Sequence, residues 1–246
     1  MNPTLVAAVI GACASIAAAV IASRAADHAK RVEAQLALQK AEADRRAETE
    51  QLARKFREPL AHAAYDLQSR IFNIAKIGFL DLYLTKGNSR TQPYAVQNTL
   101  FLIAQYFAWT ELVRREIRYI DSGTDHETRR LARLRDGIYA IWQTDKYDPL
   151  LRIFAGEQRA IGERLIREDQ SGAPKCMGYA SFVDFYKEHP DPLLSALEAE
   201  IRSLGTSLEQ ARPRLVALQH ALVDLLAFLD PDFVRFPQET RTKLQA

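Results

Sequence analysis

The sequence of 246 residues contains little cysteine and none of the short motifs that mark the common enzyme classes. Its two cysteines, Cys13 and Cys176, lie far apart in different contexts, which is typical of a reducing compartment and predicts no disulfide framework. A Gly-rich phosphate loop, a Gly-x-Ser-x-Gly elbow, a His-Glu-x-x-His motif and a Cys-x-x-Cys motif are all absent. The sequence therefore carries no catalytic signature, and we expect no cofactor.

The sequence also lacks an excess of charge of one sign. Lysine and arginine together number 33 and aspartate and glutamate number 31, which gives a formal net charge of +2. Proteins that bind nucleic acid usually carry a concentrated basic field. The balance instead indicates a mixed, solvated surface, so nucleic acid is not expected as a partner.

Charged side chains are absent from one long segment near the N-terminus, Thr4 to Ser23. Its 20 residues, as a helix rising about 1.5 Å per residue, would span about 30 Å, the thickness of a bilayer core. The competing interpretation is a cleaved signal peptide, but such a peptide starts with a cationic region, and Met1 to Thr4 contain no lysine or arginine. We predict that residues 1–24 are a single-pass transmembrane anchor, with the lipid bilayer as the partner of residues 4–23.

The basic residues that flank this segment lie on its C-terminal side. Arg24, Lys30 and Arg31 follow it, whereas only the terminal amine precedes it. The positive-inside rule then predicts an N-terminus outside the cell and a cytoplasmic C-terminal domain. The expected location is the cell membrane.

Two small residues of the predicted anchor have the spacing at which membrane helices pack closely. Gly11 and Ser15 form a small-xxx-small pair, which predicts a packing face for a homodimer. Anchors rich in alanine also contain such pairs by chance, and we favour this second interpretation.

A charged, helix-forming segment follows, from Ala25 to Phe56. It is rich in Ala, Glu, Gln, Lys and Arg and contains neither glycine nor proline, which predicts a long helix. Its apolar positions, among them Val32, Leu36 and Leu52, form only a broken seam, and a coiled coil needs several consecutive apolar heptads. We therefore favour a solvated helical spacer over residues 25–56, with a weak coiled coil as the alternative.

The remaining sequence predicts an all-α fold. From Arg57 onward apolar residues recur at intervals of three and four, and no stretch alternates like a strand. We predict that residues 57–236 form an irregular bundle of six or seven helices and that residues 237–246 form a loose tail.

Turn and capping residues set the predicted helix bounds. Two further helices are expected to start at Asp148 and Asp191, because each aspartate can cap a helix and precedes Pro-Leu-Leu. Helices with both ends predicted are Glu58–Leu84, Pro93–Ile120, Thr124–Gln143, Phe182–Tyr186 and Pro213–Leu229. The stretch Gln170 to Gly178 is predicted to be a loop because it contains Gly172 and Pro174.

Four polar residues, Glu58, His62, Asp66 and Arg70, follow one another at i+4 and so share one stripe of a helix. The first three are the residue types that ligate metals. Metal sites in helical bundles, however, usually combine Glu-x-x-His pairs from several helices, and this sequence contains no Glu-x-x-His. We therefore expect surface pairs or a polar seam here, and no metal site.

Charged residues also occur among bulky apolar residues of later helices. Because a buried charge must be paired, Asp66, Arg70, Glu116 and Arg159 are predicted to form one polar network. The network either holds the bundle in register, which we favour, or lines a ligand pocket. Similarly, we expect His220, one helical turn from Asp224, to be a satisfied core histidine and not a general base.

The sequence supports two functional hypotheses. The first is a membrane-tethered cytoplasmic module for interaction or signalling with a protein partner. The alternative is a membrane-anchored enzyme or effector with an unrecognised helical active site at Asp66, Arg70, Glu116 and Arg159. Catalysis would require these groups to converge around a cleft.

Overall fold

A computed structural model describes residues 3–116 and 125–245, with side chains for residues 23–24, 28, 30–44, 47, 55–115 and 126–245. The chain divides into two units, Met1–Glu50 and Gln51–Ala246. The α-helices in the described ranges are α1 (Pro3–Phe72), α2 (Thr91–Glu116), α3 (Asp125–Gln143), α4 (Ala155–Leu165), α5 (Tyr179–Glu188) and α6 (Pro192–Leu229). The all-α prediction is confirmed.

The first unit consists of the N-terminal part of α1. The backbone of the predicted anchor is helical from Pro3 onward. The surroundings of residues 1–22, and with them the predicted packing face at Gly11 and Ser15, lie outside what the structure describes. Within the part of the chain that the structure describes, no helix has the length and apolarity needed to cross a membrane. In the predicted spacer Val32 and Leu36 are exposed in the single chain, so the coiled-coil alternative stays a prediction.

In the second unit α1 contributes an apolar stripe to the core. Leu60, Ala64, Leu67 and Ile71 recur at intervals of three and four, and each is buried. The α-helix then ends at Phe72, earlier than the predicted Leu84. Two π-helical turns, Asn73–Ile77 and Asp81–Thr85, follow it, and Gly78 between them has a left-handed φ of 76°. That conformation, which glycine adopts without a steric penalty, interrupts the predicted helix.

Helix α2 is the buried helix that its apolar sequence predicts. Leu100, Ala104, Phe107 and Ala108 have no exposed surface. On one side α2 packs closely against α4, where Gly162 faces Phe107 with no side chain between the two backbones.

The predicted helix start at Asp148 is wrong. The Asp148 carboxylate accepts a hydrogen bond from the N–H of Leu150 (2.9 Å), and Leu151 has a φ of 60°, so the chain forms a turn. Helix α4 begins at Ala155 instead, after the extended residue Phe154. The predicted start of α3 at Thr124 lies outside the described residues.

The predicted loop from Gln170 to Gly178 contains one strand of a small hairpin, which corrects that prediction. Strand β1 (Ile166–Glu168) pairs antiparallel with β2 (Pro174–Cys176), and Ile166 lies opposite Cys176. At the tip, the Asp169 carboxylate accepts hydrogen bonds from the backbone N–H groups of Ser171 and Ala173. This side-chain turn brings the two short strands together.

Helix α6 begins as predicted and then merges two predicted helices into one. The Asp191 carboxylate caps it by accepting from the N–H groups of Leu193 and Leu194 (3.0 and 3.2 Å). The helix continues to Leu229, with a kink at Ser207 (φ −122°, ψ 29°) and with Pro213 in its interior. Pro213 has no backbone N–H to donate, so the helix lacks one hydrogen bond in the turn before it, and the kink lies six residues before this proline.

The prediction of a loose tail over residues 237–246 is wrong for residues 237–245, which the structure describes and docks onto α1 and α6. Leu244 is buried, and its N–H donates to Gln219 Oε1 (3.1 Å). Gln68 of α1 donates to the carbonyl oxygen of Thr240 (3.1 Å). The Arg241 side chain, also buried, forms an ion pair with Asp230 at the end of α6. Side-chain hydrogen bonds to backbone groups therefore hold a segment that has little regular structure of its own.

Candidate functional site

The Arg70 side chain is buried between α1 and α2 and contacts neutral partners. Its Nη2 donates to Asn98 Oδ1 (2.6 Å), and its Nη1 donates to Thr99 Oγ1 (3.4 Å). The guanidinium also lies over the ring of Phe79, 3.9 Å from the centroid. Burial lowers the pKa of Arg70, and these contacts replace part of the hydration that a buried charge loses. Arg70 therefore links α1 to α2.

Among the described side chains, the structure does not bring Asp66 or Arg159 into contact with Arg70. Asp66 is exposed on α1, and Arg159 is exposed on α4, within electrostatic reach of Tyr139. Glu116 ends α2, and its side chain lies outside the described ones. Within the described contacts, Asp66, Arg70 and Arg159 share no hydrogen bond or ion pair. The complete network stays a prediction.

The three residues considered as metal ligands, Glu58, His62 and Asp66, are exposed on α1, and Glu58 and His62 have different partners. Glu58 forms an ion pair with Arg235 (2.6 Å), both side chains being about half exposed. The His62 ring contacts Phe236 edge-on, with centroids 4.9 Å apart. In residues 3–116 and 125–245, wherever side chains are described, no three His, Cys, Asp or Glu residues are arranged to hold a metal ion.

His220 and Asp224 both bind the C-terminal segment. The Nε2 of His220 lies 2.7 Å from the carbonyl oxygen of Leu244, and Asp224 pairs with Lys243 (2.7 Å). The two residues therefore anchor neighbouring points of that segment, and a His–Asp relay is not formed between them by any described contact.

A second buried cation, Arg214 of α6, caps the end of α3. Its guanidinium donates to the carbonyl oxygens of Ile141 and Trp142 (2.5 and 2.9 Å) and to those of Thr144 and Asp148 (3.1 and 3.0 Å). The carbonyls of Ile141 and Trp142 belong to the last turn of α3, which leaves them without intrahelical donors. Those of Thr144 and Asp148 belong to the turn that follows. Arg214 has a structural role that the sequence analysis did not identify.

An open groove of about 560 Å³ lies between α1 and α2 in the second unit. Its lining residues are Lys55, Glu58, Pro59, His62, Gln105 and Trp109. The Oε1 atom of Gln105 is itself buried and accepts no hydrogen bond. The groove therefore presents charges of both signs and an indole.

Comparison with protein-family models, with curated proteins and with solved structures finds no match to this chain. Its function must therefore be argued from its own residues.

The sequence contained only a weak signal for the groove. Glu58 and His62 belong to a recognised polar stripe, and Gln105 interrupts an otherwise apolar stretch of α2. Trp109 follows Gln105 by one turn. A glutamine inside an apolar stretch, followed at i+4 by tryptophan, marks a face on which the helix changes from core to surface.

Proposed function

We propose that this chain is a membrane-tethered interaction or signalling module whose helical domain binds a protein partner. The observation that carries the proposal is the groove between α1 and α2. Small-molecule sites are usually enclosed and mostly apolar, whereas this groove is open and is lined in part by the charged residues Lys55 and Glu58. Such a surface suits a peptide segment or a protein loop better than a small substrate.

One side chain in the groove suits a polypeptide ligand in particular. Trp109 is partly exposed there, and tryptophan is among the residues that contribute most to protein interfaces. The charged groups of Lys55 and Glu58 beside it can pair with polar groups of a bound chain.

The tether is proposed from the sequence. The 20 residues from Thr4 to Ser23 carry no charge, and Arg24, Lys30 and Arg31 follow them. These features suit a single-pass anchor in the cell membrane, with its N-terminus outside and the helical domain in the cytoplasm. A homodimer through Gly11 and Ser15 remains a separate prediction.

The tether is tested on the full chain with a C-terminal tag. We expect the protein to stay in the membrane pellet after carbonate extraction, and we expect the tag to resist protease added outside sealed cells. Extraction by carbonate would refute the anchor, and digestion of the tag from outside would refute its orientation.

The groove is tested by photo-crosslinking in intact membranes. A photo-reactive amino acid at Lys55, which is exposed at the groove, should capture a discrete partner, and Trp109→Ala should abolish the product. The control position is Glu209, which is exposed on α6. The interaction hypothesis fails if both positions capture the same background proteins.

A further inference from the structure

A pocket of about 280 Å³ lies between α4 and the first half of α6, and the turn that precedes α4 forms part of its wall. This volume is close to the lower end of the range for pockets that hold small molecules. The pocket shares no lining residue with the groove between α1 and α2. It is therefore a separate candidate site.

The wall of this pocket is mostly apolar. Ile153 of the turn, Ile161 of α4 and Leu197 of α6 line it and are buried, so they form its floor. The ring of Phe154 also lines the pocket and is about half exposed. Aromatic rings attract cations to their faces. The pocket can therefore bury an apolar group and also attract a positive charge.

Two carboxylates, those of Glu157 on α4 and Glu200 on α6, line the same pocket. Glu200 Oε2 accepts a hydrogen bond from the N–H of Leu151 (2.9 Å), and Glu157 Oε2 accepts one from the N–H of Phe154 (2.9 Å). Among the described hydrogen bonds, the Oε1 atom of each carboxylate has no donor. Each side chain is thus held in place by one oxygen and keeps the other for a ligand.

The cations near these carboxylates are engaged elsewhere. Arg152 also lines the pocket, but its guanidinium pairs with Asp145 (2.5 Å), which is not a lining residue. Arg214 lies within electrostatic reach of Glu200, yet its guanidinium donates to backbone carbonyl oxygens. Among the described contacts, Glu157 and Glu200 form no ion pair. Burial raises the pKa of Glu200, and the charge of Glu157 adds to this effect, so an added cation would stabilise both carboxylates.

We propose that this pocket binds a small organic cation, a primary ammonium ion that carries an apolar group, through the carboxylates of Glu157 and Glu200. An ammonium ion has three hydrogen-bond donors, enough for the free oxygen of each carboxylate, and such charge-assisted hydrogen bonds are strong. The apolar group of the ligand would lie against the floor formed by Ile153, Ile161 and Leu197. This site does not depend on the protein partner proposed for the groove between α1 and α2.

The probe is benzylammonium, added at constant ionic strength to the purified full chain in a neutral detergent. Calorimetry should show saturable binding that is tighter than that of methylammonium, which lacks the ring, and of benzyl alcohol, which lacks the charge. In methyl NMR spectra, the signals of Ile153, Ile161 and Leu197 should shift along the same saturation curve. Equal binding of benzylammonium and benzyl alcohol, or a titration that leaves these methyl signals unmoved, overturns the proposal.

Glutamine variants test the two carboxylates without removing their structural hydrogen bonds. Glu157→Gln and Glu200→Gln each remove one negative charge and keep an oxygen that can accept from the backbone N–H of Phe154 or Leu151. Each variant should weaken benzylammonium binding at least about ten-fold. Glu209→Gln, at an exposed position of α6, removes the same charge elsewhere and should leave binding unchanged. Because uptake of the probe by detergent is common to all variants, equal binding by all three overturns the proposal.

A lysine side chain of a protein partner is the competing occupant, and the peptide trilysine distinguishes it from a small molecule. Trilysine presents the same ammonium group on a polypeptide, and it should bind more weakly than benzylammonium because its alkyl chains are less apolar than a ring. If trilysine instead binds more tightly, and Glu200→Gln abolishes that binding, the pocket receives a partner's side chain and the proposal of a small-molecule ligand is overturned.

Discussion

Gly162 of α4 lies directly against the backbone of Phe107 in α2. A Cβ atom built at Gly162 would be 2.7 Å from both the carbonyl carbon and the carbonyl oxygen of Phe107. Real Cβ atoms do not approach backbone atoms so closely, so the two helices pack at this distance only because position 162 has no side chain. This contact fixes α4, and with it Glu163 and Arg159, on α2.

We predict that Gly162→Ala destabilises the domain although alanine favours a helix. The helices must move apart, which costs about 1–3 kcal/mol in a well-packed core. Chemical denaturation followed by circular dichroism measures the change. Gly137→Ala is the matched control, because Gly137 lies inside α3 with nothing near its would-be Cβ. That substitution should stabilise by about 0.5–1 kcal/mol, and a similar gain at position 162 would contradict the close packing.

A second prediction concerns the glutamine that holds the C-terminal segment. Gln219 accepts from the N–H of Leu244 and donates to the carbonyl oxygen of Thr242 (3.0 Å) and to Gln68 (3.1 Å). Gln219→Ala should lower the free energy of unfolding by about 1–3 kcal/mol, because it leaves buried groups unsatisfied. It should also speed hydrogen exchange at the Leu244 amide.

The control for this experiment is Gln210→Ala, also on α6 but exposed. It should change neither the stability, beyond about 0.5 kcal/mol, nor the exchange rate at Leu244. Fast exchange at Leu244 in the unmodified chain would show that the segment is not docked in solution.

A third prediction is a pH dependence from Asp230. Burial alone would raise the pKa of this carboxyl, but the N–H groups of Phe236, Arg235 and Val234 and the charge of Arg241 hold it below its usual value. A lowered pKa in the folded state contributes stability that is complete above the unfolded pKa, about 3.9. That stability is lost as the pH falls through the folded pKa.

Asp230→Asn should therefore be less stable than the parent chain at pH 7, and the difference should shrink below about pH 4. Unfolding free energies measured between pH 2 and pH 7 test this. Asp224→Asn is the control, because its pair with Lys243 is about half exposed and should contribute at most about 1 kcal/mol. A difference for Asp230→Asn that grows as the pH falls would contradict the assignment.

Two identical sequences show how far local sequence determines this fold. Asp148 and Asp191 each precede Pro-Leu-Leu, and both predict a helix start. Only Asp191 begins a helix. At Asp148 the carbonyl oxygen accepts from Arg214, which lies 66 residues later in the chain. A tertiary contact thus overrides the local preference, and such a contact is not readable from the surrounding residues.

The polar contacts were less predictable than the helices, for the same reason. Periodicity identified the buried faces of α1 and α2, but it does not set the register between them. Arg70 consequently meets Asn98 and Thr99, two neutral residues with no distinguishing pattern. Gln68 and Gln219 are single polar residues within apolar stripes, and their pairing across 151 residues became visible only in the folded chain.

The last prediction concerns the proposed tether. Deleting residues 1–24 removes the uncharged run and leaves the core of the second unit complete, because that core begins at Phe56. We expect the deletion variant to move from the membrane pellet to the supernatant while keeping its helical circular dichroism. A matched variant that replaces Gly11 and Ser15 by leucine should stay in the pellet, because leucine keeps the segment uncharged and makes it more apolar. If the deletion variant still sediments with membranes after carbonate treatment, residues 4–23 are not the anchor.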